Sequence, residues 1–302
     1  MPSIHCSLDP GGRLDIVARV GPPIPWQARA REVAQRLGVE PRYFRRFRWL
    51  HKARVVRQYD VSLLHNARFV LLDPEPHNFT WEVDNRGELE GWVSEVSGCD
   101  AETARSLVQE AEDDALLKAR LRSATKGRWL WTKAWPPFGK RFGWYALARV
   151  LHPRLIVETG VHDGLGSLLL LRALERNAEE GYEGRLISFD VNPAAGWLVA
   201  DHARWEFRRQ ASQDGLSAVL ARGADVDMFI YDGWHSYEHE EAELQQVARH
   251  LAPNGVLLSD DAHVTGAIAD VCAARELRYF AVEVRPKNHF DTGTVLAAGR
   301  RG

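Results

Sequence analysis

The sequence predicts an α/β fold: a mostly parallel sheet ending in an antiparallel hairpin over residues 142–302, preceded by a smaller α+β domain. Three observations carry this. From Leu155 onward, short apolar runs alternate with helical patterns, as in a wound parallel sheet. Four of those runs end in acids, at Glu158, Asp190, Asp232 and Asp260-Asp261. The first run, Leu155–Glu158, is followed by a glycine turn holding Gly160, Gly164 and Gly166, and then by an apolar helical stretch from Ser167.

Composition narrows the function classes. With 302 residues, 45% hydrophobic and 26% charged, the chain is an ordinary globular protein of one large or two medium domains. A formal net charge of -2 gives no bulk attraction to nucleic acid or to an anionic membrane. Cys6, Cys99 and Cys272 are scattered and odd in number, which argues against a disulfide framework or a structural zinc site. There is no basic-then-apolar leader, and no apolar run approaches the ~18 residues of a membrane span. The expectation is a soluble, cytoplasmic protein, its self-association left open.

Residues 1–125 are read as the α+β domain, serving as a lid, a dimerisation unit or a substrate-selecting unit. Leu14–Val20 alternates like a strand, and residues 26–38 look helical up to Gly38. Residues 41–57 interleave arginines with aromatics. This is a nucleic-acid surface or an amphipathic segment with solvated arginines, and the balanced charge favours the second. Residues 68–72 and 79–83 flank a turn-rich stretch and predict a hairpin. Residues 87–98 predict a short helix, and Asp100 to Arg122 a longer one. Residues 126–141, with Trp135-Pro136-Pro137-Phe138-Gly139, read as the linker.

The second domain opens with a helix over 142–151. Strands are predicted at Leu155–Glu158, Arg185–Asp190, Trp205–Arg209, Val226–Asp232 and Val256–Asp261, the last entered through a turn at Pro253-Asn254-Gly255. Two closing strands lie at Tyr279–Val284 and Thr292–Ala298. In such a sheet, ligands bind outside the carboxyl ends of the strands, where the four acids fall. An acid there is costly unless it is solvated or paired with a cation. Asp190 is placed to accept from both ribose hydroxyls of a nucleoside. Asp232, Asp260 and Asp261 can form an oxygen-rich Mg²⁺ site that lowers the pKa of an acceptor hydroxyl. Alternatively, Asp232 contacts a cofactor and Asp260-Asp261 cap a loop.

The turn fits neither a dinucleotide fingerprint nor a P-loop, which needs a lysine absent from Gly166-Ser167-Leu168. Its E-x-G-x-x-x-G-x-x-S pattern resembles motif I of class I S-adenosylmethionine (SAM)-dependent methyltransferases, whose sheet is Rossmann-like. Asp232-Gly233-Trp234-His235-Ser236-Tyr237-Glu238, followed by Leu251-Ala252-Pro253-Asn254-Gly255 and Asp260-Asp261, resembles one branch of that family. The branch includes natural-product O-methyltransferases and cephalosporin-hydroxylase-like proteins.

The resemblance implies SAM as cofactor, a small-molecule acceptor, and neither nucleic acid nor membrane as partner. It implies that Glu158, Gly160, Gly164, Ser167, Asp190 and Asp232 hold SAM, with Asp214 beside the adenine. It also implies that Asp232, Asp260 and Asp261 bind Mg²⁺ if a metal is used. Two departures stand out. Trp234 replaces an acid that acts as base in sugar O-methyltransferases of this type, and Asn254 replaces a glycine. The base is then His235 or His263, with Asp232 beside it. Two other readings stay open: a SAM- or nucleoside-binding module without catalysis, and a zinc hydrolase using His235 and His239 of an H-x-x-E-H motif.

Overall fold

The computed structural model describes residues 5–8, 14–17, 82–126, 138–199, 201–287 and 293–301. The chain divides into two compact units, 1–48 and 49–302. In the first, β1 (His5–Leu8) pairs antiparallel with β2 (Leu14–Val17). The helix expected over 26–38, the basic segment 41–57, strand 68–72 and most of the linker lie outside the described residues.

The second unit begins with three helices, α1 (Arg86–Ser97), α2 (Ala101–Asp113) and α3 (Ala115–Ala124). A one-turn 3-10 helix at Gly139–Arg141 leads into α4 (Phe142–Leu151). Then follow β3 (Leu155–Thr159), α5 (Leu165–Glu179), β4 (Arg185–Phe189), β5 (Trp205–Arg208), α6 (Ser212–Leu220) and β6 (Val226–Tyr231). The chain closes with α7 (Tyr237–Ala248), β7 (Leu251–Ser259), α8 (Ala262–Thr265), α9 (Ala267–Ala274), β8 (Arg278–Val284) and β9 (Thr294–Arg300).

The sheet runs β5-β4-β3-β6-β7-β9-β8. β3 to β7 are parallel, and β9 joins β7 and β8 antiparallel. This is the predicted class. The period-2 alternation of the strands feeds two cores. Ile156, Leu186, Met228, Ile230 and Leu258 face α1 to α5, while Val157, Ile187, Phe229 and Leu257 face α6, α7 and α9. The chain runs β3, β4, β5 outward and then returns to β6 on the other side of β3. That reversal opens a crevice beyond the carboxyl ends of β3 and β6.

Several expectations need correcting. The compact units do not divide at 126–141. Leu89, Trp92, Val93, Val108 and Leu117 of α1 to α3 share one core with Trp144 and Tyr145 of α4. Of the predicted strand 79–83, residues 79–81 lie outside the described residues, and Val83 forms an isolated bridge to Pro286. The long helix from Asp100 is two helices. Asp114 breaks it because its side chain accepts the Leu117 N–H at 2.6 Å and caps α3. Pro253 and Asn254 lie inside β7 rather than ahead of it, as an exposed bulge between Val226↔Leu251 and Met228↔Val256. α6 and α9 had no sequence expectation.

Asp114 also ties α3 to α5. Its Oδ2 accepts from Arg172 Nε at 2.8 Å and Arg176 Nη2 at 3.2 Å, and both Asp114 and Arg172 are buried. Asp114→Ala removes a cap and leaves a buried guanidinium short of a partner. The expected loss is about 3 kcal/mol, read as a lower urea midpoint at unchanged m-value. A shift below about 1 kcal/mol would mean that the cluster is surface-like in strength.

Candidate active site

The crevice is built by three strand ends. After β3 the chain turns sharply at Gly160, whose φ is +84°. A Cβ there would lie 1.8 Å from the Asp232 carbonyl oxygen, so only glycine lets the loop pass β6. The Asp232 N–H donates to the Thr159 carbonyl at 2.8 Å and the Asp260 N–H to the Tyr231 carbonyl at 3.0 Å, which sets the three ends level. Gly164, at φ +92°, is the N-cap residue of α5. The result is a hollow of about 240 Å³. One wall is Glu158, Gly160, Val161, His162, Asp163, Leu165 and Gly166, and the other is Asp232, Gly233, His235, Asp260 and Asp261, with Lys140 and Arg141.

Glu158 is buried at the end of β3. Its Oε2 accepts from Ser167 Oγ at 2.5 Å and Ser188 Oγ at 2.7 Å, while Oε1 lies toward Gly166. Burial pushes its pKa up to about 7, against the pull of the two hydroxyls. Ser167 therefore supports Glu158 rather than lining the hollow. Asp190 does not line the hollow either, but lies against its glycine loop. Its Oδ2 accepts from the Val161 and His162 N–H groups at 2.9 Å each, and Oδ1 from the Asn192 N–H at 2.8 Å. It braces the glycine loop. Asp214 is exposed in the first turn of α6 and does not line the hollow.

Two residues read as linker are the cations of the site. Lys140, only 8% exposed, puts Nζ 2.6 Å from Asp260 Oδ2, 2.9 Å from Asp261 Oδ1 and 3.3 Å from the Asp260 carbonyl. Arg141 Nη2 lies 3.3 Å from Asp232 Oδ2, and its guanidinium sits 5.3 Å from the centre of the Trp144 ring. Burial works to strip the Lys140 proton, but Asp260 and Asp261 outweigh it and hold the ammonium charged. Burial likewise pushes Asp261 up, yet Lys140 and the Thr294 hydroxyl hold it well below the usual carboxylate range. Asp260 is pushed up to about 7 by burial and by Asp232.

These contacts bear on the implied metal. Asp232, Asp260 and Asp261 do converge, but Asp260 and Asp261 already grip an ammonium where a divalent ion would sit. The three-carboxylate set does not fit Mg²⁺ while Lys140 holds that place. Asp232, His235 and Asp261 each bring a ligating atom within 4.8 Å of one another, but an imidazole is not an Mg²⁺ donor. The glycine-loop wall is different. A buried carboxyl at Glu158, met by serine hydroxyls, suits a ligand that carries an amino group.

The two histidines separate. His235 lines the hollow, with Nε2 3.6 Å from Asp261 Oδ2. His263 is exposed, and its Nδ1 accepts from the Val295 N–H at 3.3 Å away from the hollow. His235 and His239 do not form a metal pair. Ser236 caps α7, so His235 precedes the helix, and His239 turns to Tyr231 Oη at 3.1 Å and Glu243 at 3.5 Å. Trp234, at the position of the missing acid, is 69% exposed.

Residues 157–262 match the family model described as "Methyltransferase domain". No curated protein matches the chain's sequence. Similar solved structures include an O-methyltransferase from Bacillus cereus in complex with S-adenosylhomocysteine (SAH), 16% identical, covering 63% of this chain and 92% of that one with a TM-score of 0.48. Another is TomG from Streptomyces achromogenes, an O-methyltransferase of tomaymycin synthesis in complex with SAM, 19% identical, covering 63% and 91% with a TM-score of 0.46. A third is an SAH-bound methyltransferase from Podospora anserina, 12% identical, covering 67% and 96% with a TM-score of 0.44. The family match spans β3 to the start of α8, the stretch that supplies every strand end of the hollow.

Proposed function

We propose that the protein is a SAM-dependent O-methyltransferase acting on a small molecule. The observation that carries this is the hollow with a glycine loop and Glu158 on one wall and Asp232, His235 and Asp261 on the other. SAM supplies a methyl group already activated on a sulfonium. The protein's work is then to hold, orient and deprotonate.

Glu158 receives a cationic amino group beside the glycine loop. Asp190 offers about four acceptor sites, of which three backbone N–H groups already use three. It therefore has room for one ribose hydroxyl rather than the two expected from sequence. His235 is the base at the acceptor wall, and Asp261, held ionised, stabilises the imidazolium that forms. His263 and Asp214 have no part in this scheme.

Three outcomes test the reading. First, calorimetric titration with SAH gives one site per chain, and Asp190→Ala weakens it about 10- to 100-fold, because both the loop brace and the ribose contact go. No binding by the unmodified chain rejects the proposal. Second, SAH affinity depends on pH through Glu158. Its carboxyl at about 7 must ionise to hold an ammonium, so affinity is full above that value and falls as pH drops below it. About one unit lower, affinity is down about tenfold. Glu158→Gln binds weakly with a flat profile, whereas a variant that keeps the wild-type slope would remove Glu158 from cofactor binding. Third, once an acceptor is found with methyl-labelled SAM, His235→Ala lowers kcat about 10²- to 10⁴-fold with SAH affinity unchanged, and His263→Ala leaves both alone.

A further inference from the structure

We propose that Lys140 is the resident counter-ion of this site, so that the acceptor wall works without a divalent metal and Lys140 positions the acids that a metal would otherwise hold. The inference deepens the methyltransferase reading and rests on it for what the wall binds.

The ammonium sits between the acids with three acceptors around it: Asp260 Oδ2, Asp261 Oδ1 and the Asp260 carbonyl. A lysine has three donors, so the set is matched. Thr294 closes the far side by donating to Asp261 Oδ1 and, at 3.2 Å, to the Asp260 carbonyl. Asp261 therefore keeps only Oδ2 toward the hollow, where His235 lies. Arg141 serves Asp232 in the same way, its own Nε buried without a partner among the described residues.

The lysine is not a loose surface chain that happened to land here. It rides on the one-turn helix Gly139–Arg141, pinned by the fully buried Phe138 ahead and Phe142 behind, whose rings meet edge-on at 5.8 Å. Charge counting points the same way. Three carboxylates with two fixed cations carry one net negative charge when all are ionised. A divalent ion added to them would have to expel the ammonium or sit beside it in a buried pocket.

The test is Mn²⁺ binding by the full-length chain, followed by loss of the free-ion EPR signal, with and without SAH. The unmodified chain leaves the signal unchanged, and its SAH affinity is the same in EDTA as in Mg²⁺. Lys140→Ala exposes the carboxylates and takes up one Mn²⁺ per chain, at least about tenfold tighter than the unmodified chain. Lys140→Ala/Asp260→Asn loses that gain, a readout that a merely structural lysine would not produce. Stoichiometric Mn²⁺ on the unmodified chain, lost in Asp261→Asn, overturns the proposal. So does a folded Lys140→Ala variant that gains no affinity. If Lys140→Ala fails to fold, Lys140→Met takes its place, and EDTA-sensitivity of SAH affinity in the unmodified chain decides alone. Failure of SAH to bind under any condition rejects the methyltransferase reading while the Mn²⁺ results still decide the role of Lys140.

Discussion

The ion pairs from Lys140 and Arg141 to Asp260, Asp261 and Asp232 are what the rest of the site leans on. A parallel sheet gathers its strand ends along one edge, and three carboxylates gathered there are intolerable in a buried place unless cations meet them. The cations come from a segment 91 to 121 residues earlier in the chain. Fixing them fixes the 3-10 turn, and the turn sets where α4 begins. α4 then carries Trp144, whose ring stands 2.7 Å from where a Gly166 Cβ would be, against the start of α5. The charge pairing thus reaches the opposite wall through packing.

That chain of dependence explains why α1 to α3 belong to the sheet's own unit. α4 is buried on nearly every side, which no helix lying on a sheet face can achieve alone. α1 and α2 cover its outer surface. Tyr145 Oη and Arg149 Nε both donate to Glu110 of α2, at 2.6 and 2.8 Å. Arg300 of β9 donates to the carbonyls of Val96 and Ser97 and closes the end of α1. A boundary drawn through residues 126–141 treats these helices as an attachment, whereas they are the outer layer of one core.

What the sequence made legible follows from the range of the forces involved. Strands buried on both faces read as continuous apolar runs, and β3, β4, β6 and the later part of β7 were visible for that reason. The acids at their ends were visible because each closes its own run. The break at Asp114 was hidden because the apolar spacing continues across it; only the capping side chain interrupts the helix. α6 was hidden because Gly215 sits in it. That glycine is there for close packing, since a Cβ would meet the Phe189 ring at 2.1 Å. Lys140 and Arg141 were hidden because ion pairs that far apart leave no local pattern. Their existence, though not their identity, was implied by the acids: clustered buried carboxylates require cations from somewhere.

The carboxyl groups along this edge are satisfied in three different ways, and the differences sort their roles. Asp190 is satisfied by backbone N–H groups, which cannot leave, so it serves as a fixed brace for the loop. Asp260 and Asp261 are held by an ammonium, which ties them to the turn at Gly139–Arg141 and keeps Asp261 ionised next to His235. Among the described residues, Glu158 has only neutral serine hydroxyls as its direct donors. Hydroxyls offset part of the burial penalty but supply no charge, so its proton is held to about pH 7. Of these acids it is the one left waiting for a positive charge, and it faces the glycine loop. A cationic ligand that settles there completes the electrostatics of that wall, just as Lys140 completes them on the other.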